Sequence, residues 1–375
     1  MNRDAHFYAV LGFCRACGFT KASAQIIAHA SQLVDDARIN IMFIDQASND
    51  VSANIQHDTV ANRPAFFNMA TCHSYLRIKS FNYEAMVNNT AAFHFVPGCV
   101  GENFTKKLRC KEESPVVLDL LQDVGREDDL IKLGIVLHAY ADTFSHQGFS
   151  GMLSRVNDIK NCVAKTKADM SLIDRIVNFL KLFGEEKFEQ YFDRIMPGYG
   201  HCQALEFPDI PHLVWSYRYD CSDQFNGSYK TVEIDNKQRY TRAFINIKKY
   251  LELYLINHPQ YGDHDLRFDK FDSLLATLVS QGNDRTREKN WQQVLVKLGL
   301  FDWQDQDFLT YEENKWLTEA FTNYNCKAFS SRKVDGVQLA DNFAQTHWYK
   351  FYLAVKWYKQ KFFAYCAGYQ LSIPN

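Results

Sequence analysis

The sequence predicts an all-α protein, and three observations lead to that prediction. Apolar residues recur at intervals of three and four over long stretches, the alternation typical of half-buried strands is scarce, and turn-forming residues cluster between the helical stretches. Of the 375 residues, 46% are hydrophobic and 15% are aromatic, which is enough to bury a large core. We therefore expect a multi-helix bundle.

The individual helices are predicted from this apolar periodicity. The stretch at residues 20–39 shows it clearly, because its apolar residues recur along a single face (Ile26, Ile27, Ala30, Leu33 and Val34). The other strong helical predictions are residues 127–147, 169–194, 238–256, 266–281 and 340–366.

Breaks rich in glycine, proline and polar residues lie at 96–104, 195–212 and 221–230, and they are predicted to be loops. The last break is the expected boundary between two parts of the chain. We predict a metal-binding catalytic helical region over residues 1–240 and an aromatic-rich helical region over residues 241–375 that packs on it.

Composition limits the classes of partner and compartment. The 42 basic and 44 acidic residues nearly cancel, so the net charge gives no reason to expect nucleic acid as a partner. No apolar run is long enough to cross a membrane, and no signal peptide is visible, so we expect the protein in a cytosol, its own or that of a host after specialised export. The ten cysteines are scattered along the chain, which favours free thiols over a disulfide framework.

The most informative stretch is GIVLHAYADTFSHQGFSG at residues 134–151. It places His138, Asp142 and His146 at four-residue intervals, so the three share one face of a helix. Burying these polar groups costs free energy unless a partner satisfies them. A hydrogen-bonded core network would do so. A bound cation would also do so, because imidazole and carboxylate are common zinc ligands and a carboxylate can bridge two ions.

Further histidines and carboxylates occur in similarly apolar or Gly/Pro-framed surroundings. They are His6 in DAHFYAVLGF, Asp35 and Asp36 in IIAHASQLVDDA, His94 in NNTAAFHFVPG, and His201, Glu206, Asp209 and His212 in PGYGHCQALEFPDIPH. Each alone is a weak signal, since single residues of this kind are common without a ligand. Together they would supply enough ligands for two or three ions.

As a set, these motifs resemble the zinc-dependent phospholipases C, whose helical scaffold and trinuclear zinc cluster are shared by the S1/P1-type nucleases. More closely, IIAHASQLVDDA, FHFVPG, LHAYADTFSHQGFSG, and GYGH with FPDIPHLVW resemble a bacterial branch of predicted zinc metallophospholipases C, some of which are exported virulence factors. The resemblance covers roughly residues 1–245.

The resemblance implies a set of roles for these residues. It implies a zinc ligand set of His6, Asp36, His94, His138, Asp142, His146, His201 and Asp209, with Asp142 as the bridge between two ions. Glu206 is the less favoured alternative to Asp209, and the pair Asp35 and Asp36 leaves open which carboxylate binds and which acts as the general base. His29, His57 and His73 are expected to be structural or to orient a ligand.

The function implied by the resemblance is hydrolysis of phosphatidylcholine-type lipids at a membrane surface, giving diacylglycerol and a phosphorylated head group. Two or three zinc ions are the expected cofactors. A nuclease or nucleotidase on the same scaffold is the first alternative. A non-catalytic binding or interaction protein, with its His and Asp groups in a polar core network, is the second.

The segment THWYKFYLAVKWYKQKFFAYCAGY near the C-terminus interleaves aromatic residues with lysines. It fits either a core helix or an interfacial helix whose lysines meet lipid phosphates (Lys350, Lys356, Lys359 and Lys361). Aromatic residues surround most of the helix circumference, which favours the core interpretation.

Overall fold

The computed structural model describes residues 1–45, 55–58, 63–73, 82–166, 196–220 and 231–374. Its α-helices are α1 (Val10–Ala16), α2 (Lys21–Asp36), α3 (Tyr83–Ala85), α4 (Phe104–Lys107), α5 (Pro115–Val124), α6 (Leu130–Ser145), α7 (Asn236–Asn257), α8 (Phe271–Leu278), α9 (Asp284–Lys297), α10 (Gln306–Leu309), α11 (Lys315–Ala320) and α12 (His347–Gly368). Its strands are β1 (Ile41–Ile44), β2 (Gln56–Asp58), β3 (Arg63–Phe67), β4 (Ile159–Ala164), β5 (Val214–Tyr219), β6 (Val232–Asp235) and β7 (Lys333–Val337).

The prediction of an all-α fold is wrong, because the strands form two small sheets beside the helices. The four-stranded sheet has the order β2-β3-β1-β7, and the three-stranded sheet has the order β4-β5-β6. All pairs are antiparallel except β1 with β7, which run parallel although they lie far apart in the chain. The architecture is therefore mixed, with helices in the majority.

Most of the predicted helices within the described residues form, with adjusted ends. The stretch 20–39 contains α2, 127–147 contains α6, and 238–256 falls within α7. The stretch 266–281 contracts to α8, and α12 begins seven residues later than the predicted residue 340. The predicted helix at 169–194 and the boundary at 221–230 lie outside the described residues, and residues 240 and 241 both belong to α7.

Side-chain caps fix where the principal helices begin. The Thr20 side chain accepts a hydrogen bond from the amide of Ser23 at the start of α2. Asp129 Oδ1 accepts from the amides of Ile131 and Lys132 at the start of α6. Such caps satisfy amide groups that have no partner inside the helix. The sequence predicts Asp129 to be a solvated residue, but it is partly buried and has a structural role at this helix end.

Helices α2 and α6 pack unusually closely at Gly134. A Cβ atom at this position would lie 2.4 Å from the carbonyl oxygen of Ile27 and 2.7 Å from the Cβ atom of Ala30. Only glycine permits this separation, because any side chain would overlap the backbone of α2. The close approach brings the end of α2 beside the polar face of α6, one turn after Gly134.

Two π-helical segments precede or extend regular helices, at Asp4–Ala9 before α1 and at Met86–His94 after α3. Each carries one of the predicted ligands, His6 in the first and His94 at the end of the second. π-Helical turns are rare and often mark functional sites, because the wider turn changes the direction of a side chain. Both segments are buried against the main core.

Apolar side chains form two cores. The larger core includes residues of α1, α2, α5, α6, α7 and α12, and the smaller core surrounds the three-stranded sheet and contains Phe95, Phe149 and Trp215. The larger core combines residues from both sides of the predicted division at residue 240. The predicted ligands on α6 lie beside both cores, because α6 contributes to the larger core and Phe95 of the smaller core stacks on His146.

Helix α12 is a core helix, as the favoured interpretation predicted. Its aromatic residues Trp348, Tyr352, Tyr358 and Phe362 are buried. Lys359 is also buried and donates hydrogen bonds to Asn68 O, Asn68 Oδ1 and Ala70 O, so it does not face a lipid surface.

No helix among the described residues has the length and apolarity needed to cross a bilayer. No disulfide joins any two of the nine described cysteines.

Candidate metal centre

Helix α6 supplies the centre of the site. His138 and Asp142 lie on one face of the helix, one turn apart, and His146 is the residue that ends it. All three side chains are buried. The predicted four-residue spacing therefore brings them together as expected, and α2, both π-helical segments and the loop after Tyr199 add the remaining groups.

Four donor atoms face one another in what we term the first donor group: Asp35 Oδ1, His94 Nδ1, His138 Nε2 and Asp142 Oδ2. His94 Nδ1 lies 3.2 Å from both Asp142 Oδ2 and His138 Nε2. His138 Nε2 lies 3.3 Å from Asp142 Oδ2. Asp35 Oδ1 lies 3.6 Å from His94 Nδ1 and 3.8 Å from His138 Nε2.

The second donor group consists of His146 Nε2, His201 Nε2 and the carboxylate of Asp209. His146 Nε2 lies 3.0 Å from Asp209 Oδ1, and His201 Nε2 lies 3.4 Å from Asp209 Oδ2. Short 3-10 turns at Cys202–Ala204 and Phe207–Asp209 bring His201 and Asp209 together across the loop. The ring of Phe95 stacks on His146 at 4.6 Å between centroids, which shields this group.

The third donor group consists of the other carboxylate oxygen of Asp142, Oδ1, with His6 Nε2 and the amino group of Met1. Asp142 Oδ1 lies 3.1 Å from His6 Nε2 and 2.7 Å from the amino group of Met1. The same amino group lies 3.1 Å from Asp209 Oδ1. Asp142 therefore faces His6 with one oxygen and His94 and His138 with the other, which is the geometry expected of a bridging carboxylate.

Hydrogen bonds to main-chain carbonyls fix the orientation of three histidines. His94 Nε2 donates to Thr71 O at 3.0 Å, and His146 Nδ1 donates to the carbonyl oxygen of His94 at 2.6 Å. His201 Nδ1 donates to Leu205 O at 2.8 Å. In a neutral ring the opposite nitrogen then carries a lone pair. That lone pair points at a carboxylate in each case, an arrangement that a cation between the two atoms would stabilise.

Burial shifts the charge states in this site. It lowers the pKa of His94 and His138 below the usual range and lowers the pKa of His201 to about 4, because the charged ring loses hydration. Burial also raises the pKa of Asp35 to about 7. For Asp142 burial acts in the same upward direction, but the adjacent histidines and the Met1 amino group outweigh it and hold the pKa well below its usual range.

The separations in the first donor group fit a small tetrahedral cation. Bonds of about 2.0–2.1 Å at tetrahedral angles place ligand atoms about 3.3–3.5 Å apart. The five distances measured within this group lie between 3.2 and 3.8 Å. The clusters His94–His138–Asp142, His6–Asp35–His138 and His146–His201–Asp209 each bring their ligand atoms within 4.8 Å of one another. These buried clusters can hold metal ions.

Among the alternatives left open by the sequence, the structure favours Asp35 and Asp209. Asp36 does not join the histidines, because its Oδ2 accepts hydrogen bonds from Gln32 Nε2 at 3.1 Å and from the Tyr311 hydroxyl at 2.8 Å. Successive helix residues point about 100° apart, so only one of the two aspartates can face α6. Glu206 is exposed on the loop, whereas Asp209 contacts both histidines.

The three histidines expected to be structural have different positions. His29 is buried away from the donor groups and lies 4.2 Å from the ring of Trp316, measured between centroids. His73 lies beside the site, with its ring 4.3 Å from that of His94. The side chain of His57 is outside the described part of the structure.

Two supporting residues were not identified from the sequence. Thr71 orients His94 through its carbonyl oxygen, and a main-chain contact of this kind leaves no signature in the residue type. Lys359 holds the same loop through the carbonyl oxygens of Asn68 and Ala70. No signal in the sequence separates Lys359 from the other lysines of the same segment, Lys350, Lys356 and Lys361.

Comparison of the chain with known proteins gives a family but no functional assignment. Neither the curated proteins nor the solved structures contain a significant match. A family model described as a family of unknown function, DUF6765, matches residues 1–366, and the chain therefore belongs to that family.

Proposed function

We propose that this protein is a zinc-dependent phosphodiester hydrolase, and specifically a phospholipase C that cleaves phosphatidylcholine-type lipids. The observation that carries the proposal is the position of Asp142, a buried carboxylate with one oxygen facing His94 and His138 and the other facing His6. A carboxylate shared between histidine clusters is the donor set expected for neighbouring zinc ions. The motif resemblance to zinc metallophospholipases C supplies the substrate class.

The residues of the site would have the following roles in the reaction. Bound zinc supplies a water of lowered pKa and positive charge that offsets the charge of the phosphodiester. Asp142 fixes the spacing between the donor groups, and carbonyl oxygens such as Thr71 O hold the histidine rings in one tautomer. Asp35, whose side chain is 24% exposed at the edge of the first donor group, would hold an ion together with His94 and His138 and is therefore not assigned the role of general base. Asp36 is not assigned a catalytic role, because it is paired with Tyr311.

The proposed reaction is hydrolysis of one P–O bond. Oxygen from water forms a bond to phosphorus, the bond from phosphorus to the diacylglycerol oxygen breaks, and that oxygen takes up a proton. The products are diacylglycerol and a phosphorylated head group, released at a membrane surface.

The test is a pair of assays run side by side, with phosphatidylcholine and with single-stranded DNA, each with and without a chelator. We expect chelator-sensitive release of phosphocholine from the lipid and no cleavage of DNA. Cleavage of DNA alone would assign the site to a nuclease. Inactivity on both substrates in a protein that contains no metal would favour a non-catalytic protein with a polar core network.

A further inference from the structure

Two cysteine side chains face each other at the C-terminal end of α12, outside the candidate metal centre. Cys366 lies in the last turn of α12 and is buried in the larger core, and the half-buried Cys99 packs against that core. A hydrogen bond joins the two side chains, and no disulfide bond connects them. The two thiols are therefore in contact, although they belong to segments far apart in the chain.

Hydrogen bonds that involve no thiol hold the turn around Cys99 against the end of α12. The amide of Cys99 donates to Lys107 O at 3.0 Å, and Lys107 Nζ donates to Gln370 O, two residues beyond the helix, at 3.4 Å. The amide of Leu371 in turn donates to Cys366 O at 2.9 Å. The contact between the turn and the helix end therefore does not depend on the chemical state of either thiol.

The backbone of Cys99 is strained. Its φ angle is 55°, in the left-handed region that glycine adopts readily and that costs free energy for other residues. Glycines stand nearby at Gly98 and Gly101, but the strained position itself carries a cysteine. Strain of this kind is concentrated at functional sites, so a role for this thiol would explain it.

Of the two thiols, Cys99 is the one that a reagent in solution can reach. It is half-buried, and the next two residues, Val100 and Gly101, are exposed, whereas Cys366 is buried. The hydrogen bond from Cys366 lowers the pKa of Cys99, and the same hydrogen bond, together with burial, raises the pKa of Cys366. A thiolate attacks a disulfide and a thiol does not. Cys99 is therefore suited to the first attack, and Cys366 to the second step.

We propose that Cys99 and Cys366 form a redox-active pair, which closes to a disulfide by exchange with a low-molecular-weight disulfide such as oxidised glutathione. This inference does not depend on the proposed hydrolytic activity. The disulfide would join the turn that follows His94 to the last helix of the described chain.

The exchange takes place in two steps. The Cys99 thiolate, having released its proton to water, attacks one sulfur of the glutathione disulfide, whose S–S bond breaks as a mixed disulfide forms and one glutathione thiolate leaves. The sulfur of Cys366 then attacks the sulfur of Cys99, its proton passes to water, and the second glutathione thiolate leaves. The two protein sulfurs together lose two electrons, and the glutathione disulfide gains them.

Peptide mapping tests the proposal on the full chain, which is first reduced, desalted and equilibrated with mixtures of reduced and oxidised glutathione. After acid quenching and alkylation of the remaining thiols, mass spectrometry identifies the partner of each cysteine. We expect a peptide pair joined by a disulfide between Cys99 and Cys366, which returns to two thiols when the share of reduced glutathione is raised. The exposed thiol of Cys326 is the control in the same sample and should carry glutathione as a mixed disulfide.

Variants separate the two steps. Cys366→Ser removes the second thiol, so the exchange should stop at a mixed disulfide between Cys99 and glutathione. Cys99→Ala removes the attacking thiol, and the buried Cys366 should then stay reduced. The control Cys326→Ser should leave the disulfide between Cys99 and Cys366 unchanged.

The map of the unsubstituted protein decides the question even if a variant does not fold. A mixed disulfide at Cys99 that persists without the cross-link would overturn the proposal, because Cys366 would then not react. It would also be overturned if Cys99 and Cys366 both stayed reduced under conditions that modify Cys326, or if Cys99 were joined to a different cysteine. These outcomes are independent of hydrolysis, so failure of the redox pair and failure of the proposed function are distinguishable.

Discussion

The substitution Asp142→Asn tests the bridge between the donor groups. The carboxylate presents an acceptor oxygen on both sides, to His6 and the Met1 amino group through Oδ1 and to His94 and His138 through Oδ2. Asparagine has nearly the same shape but replaces one of these oxygens with an NH2 group. In either orientation, one side of the residue then lacks a ligand atom and the negative charge is gone.

The expected magnitude differs between a metal bridge and a polar core network. Loss of a residue that merely orients a zinc ligand already costs about 10–100-fold in metal affinity. A ligand shared by two donor groups should cost at least about 100-fold at one of them, which is about 2.7 kcal/mol. If Asp142 only hydrogen-bonds in a core, the change should cost about 1.5–3 kcal/mol of folding free energy and should have no metal-dependent effect.

The assay combines elemental analysis with turnover on phosphatidylcholine. We expect Asp142→Asn to lose at least one zinc ion per chain and to lower turnover by at least about 100-fold. The control is Asp129→Asn, at the N-terminal end of the same helix, where the side chain caps two amides. Asparagine is as good a cap as aspartate, so metal content and activity should stay normal.

One result would refute the reasoning. A folded Asp142→Asn protein with its full metal complement and near-normal turnover would show that the carboxylate does not hold the ions. The polar residues of α6 would then be a hydrogen-bonded network, and the explanation of their spacing would have to change.

Three further predictions concern stability. Gly134→Ala should lower the free energy of unfolding, measured in urea, by about 1–3 kcal/mol, because the new Cβ atom overlaps α2. The control Gly368→Ala should not lower it, since no atom lies near its Cβ position. Equal effects of the two substitutions would contradict the close packing at Gly134. Lys359→Met should cost about 1–3 kcal/mol by leaving buried carbonyl oxygens without a donor, whereas Lys361→Met, at a surface pair with Asp123, should cost under about 1 kcal/mol. Removal of bound metal by a chelator should lower the melting temperature, measured by scanning fluorimetry, by several degrees, because ions that bind only the folded state stabilise that state. Added zinc should restore the melting temperature. An unchanged melting temperature would argue against bound ions.

The sequence predicted the parts of this fold that depend on local pattern. Helices α2 and α6 were located because their apolar periodicity is strong, and the caps Thr20 and Asp129 lie within the predicted stretches. The sheets were missed because their strands have only three to six residues, and β1 and β5 are buried along most of their length, so no clear apolar–polar alternation appears. The parallel pairing of Ile41–Ile44 with Lys333–Val337 is a contact between distant segments that a local pattern does not reveal.

The candidate site likewise has some features that the sequence predicts and others that depend on tertiary packing. The face shared by His138 and Asp142 follows from helix geometry and could be read directly. The choice of Asp35 over Asp36 depends on how α2 is rotated against α6, which the packing at Gly134 and the hydrogen bond from Tyr311 to Asp36 determine. Neither feature is visible within the VDDA segment itself.

The most direct test of the central claim is the metal content of the protein, purified without chelator and measured by elemental analysis. The donor groups around Asp142, His94 and His201 predict two to three zinc ions per folded chain. A content well below one ion per chain, in protein that is folded and was supplied with zinc during expression, would contradict the account.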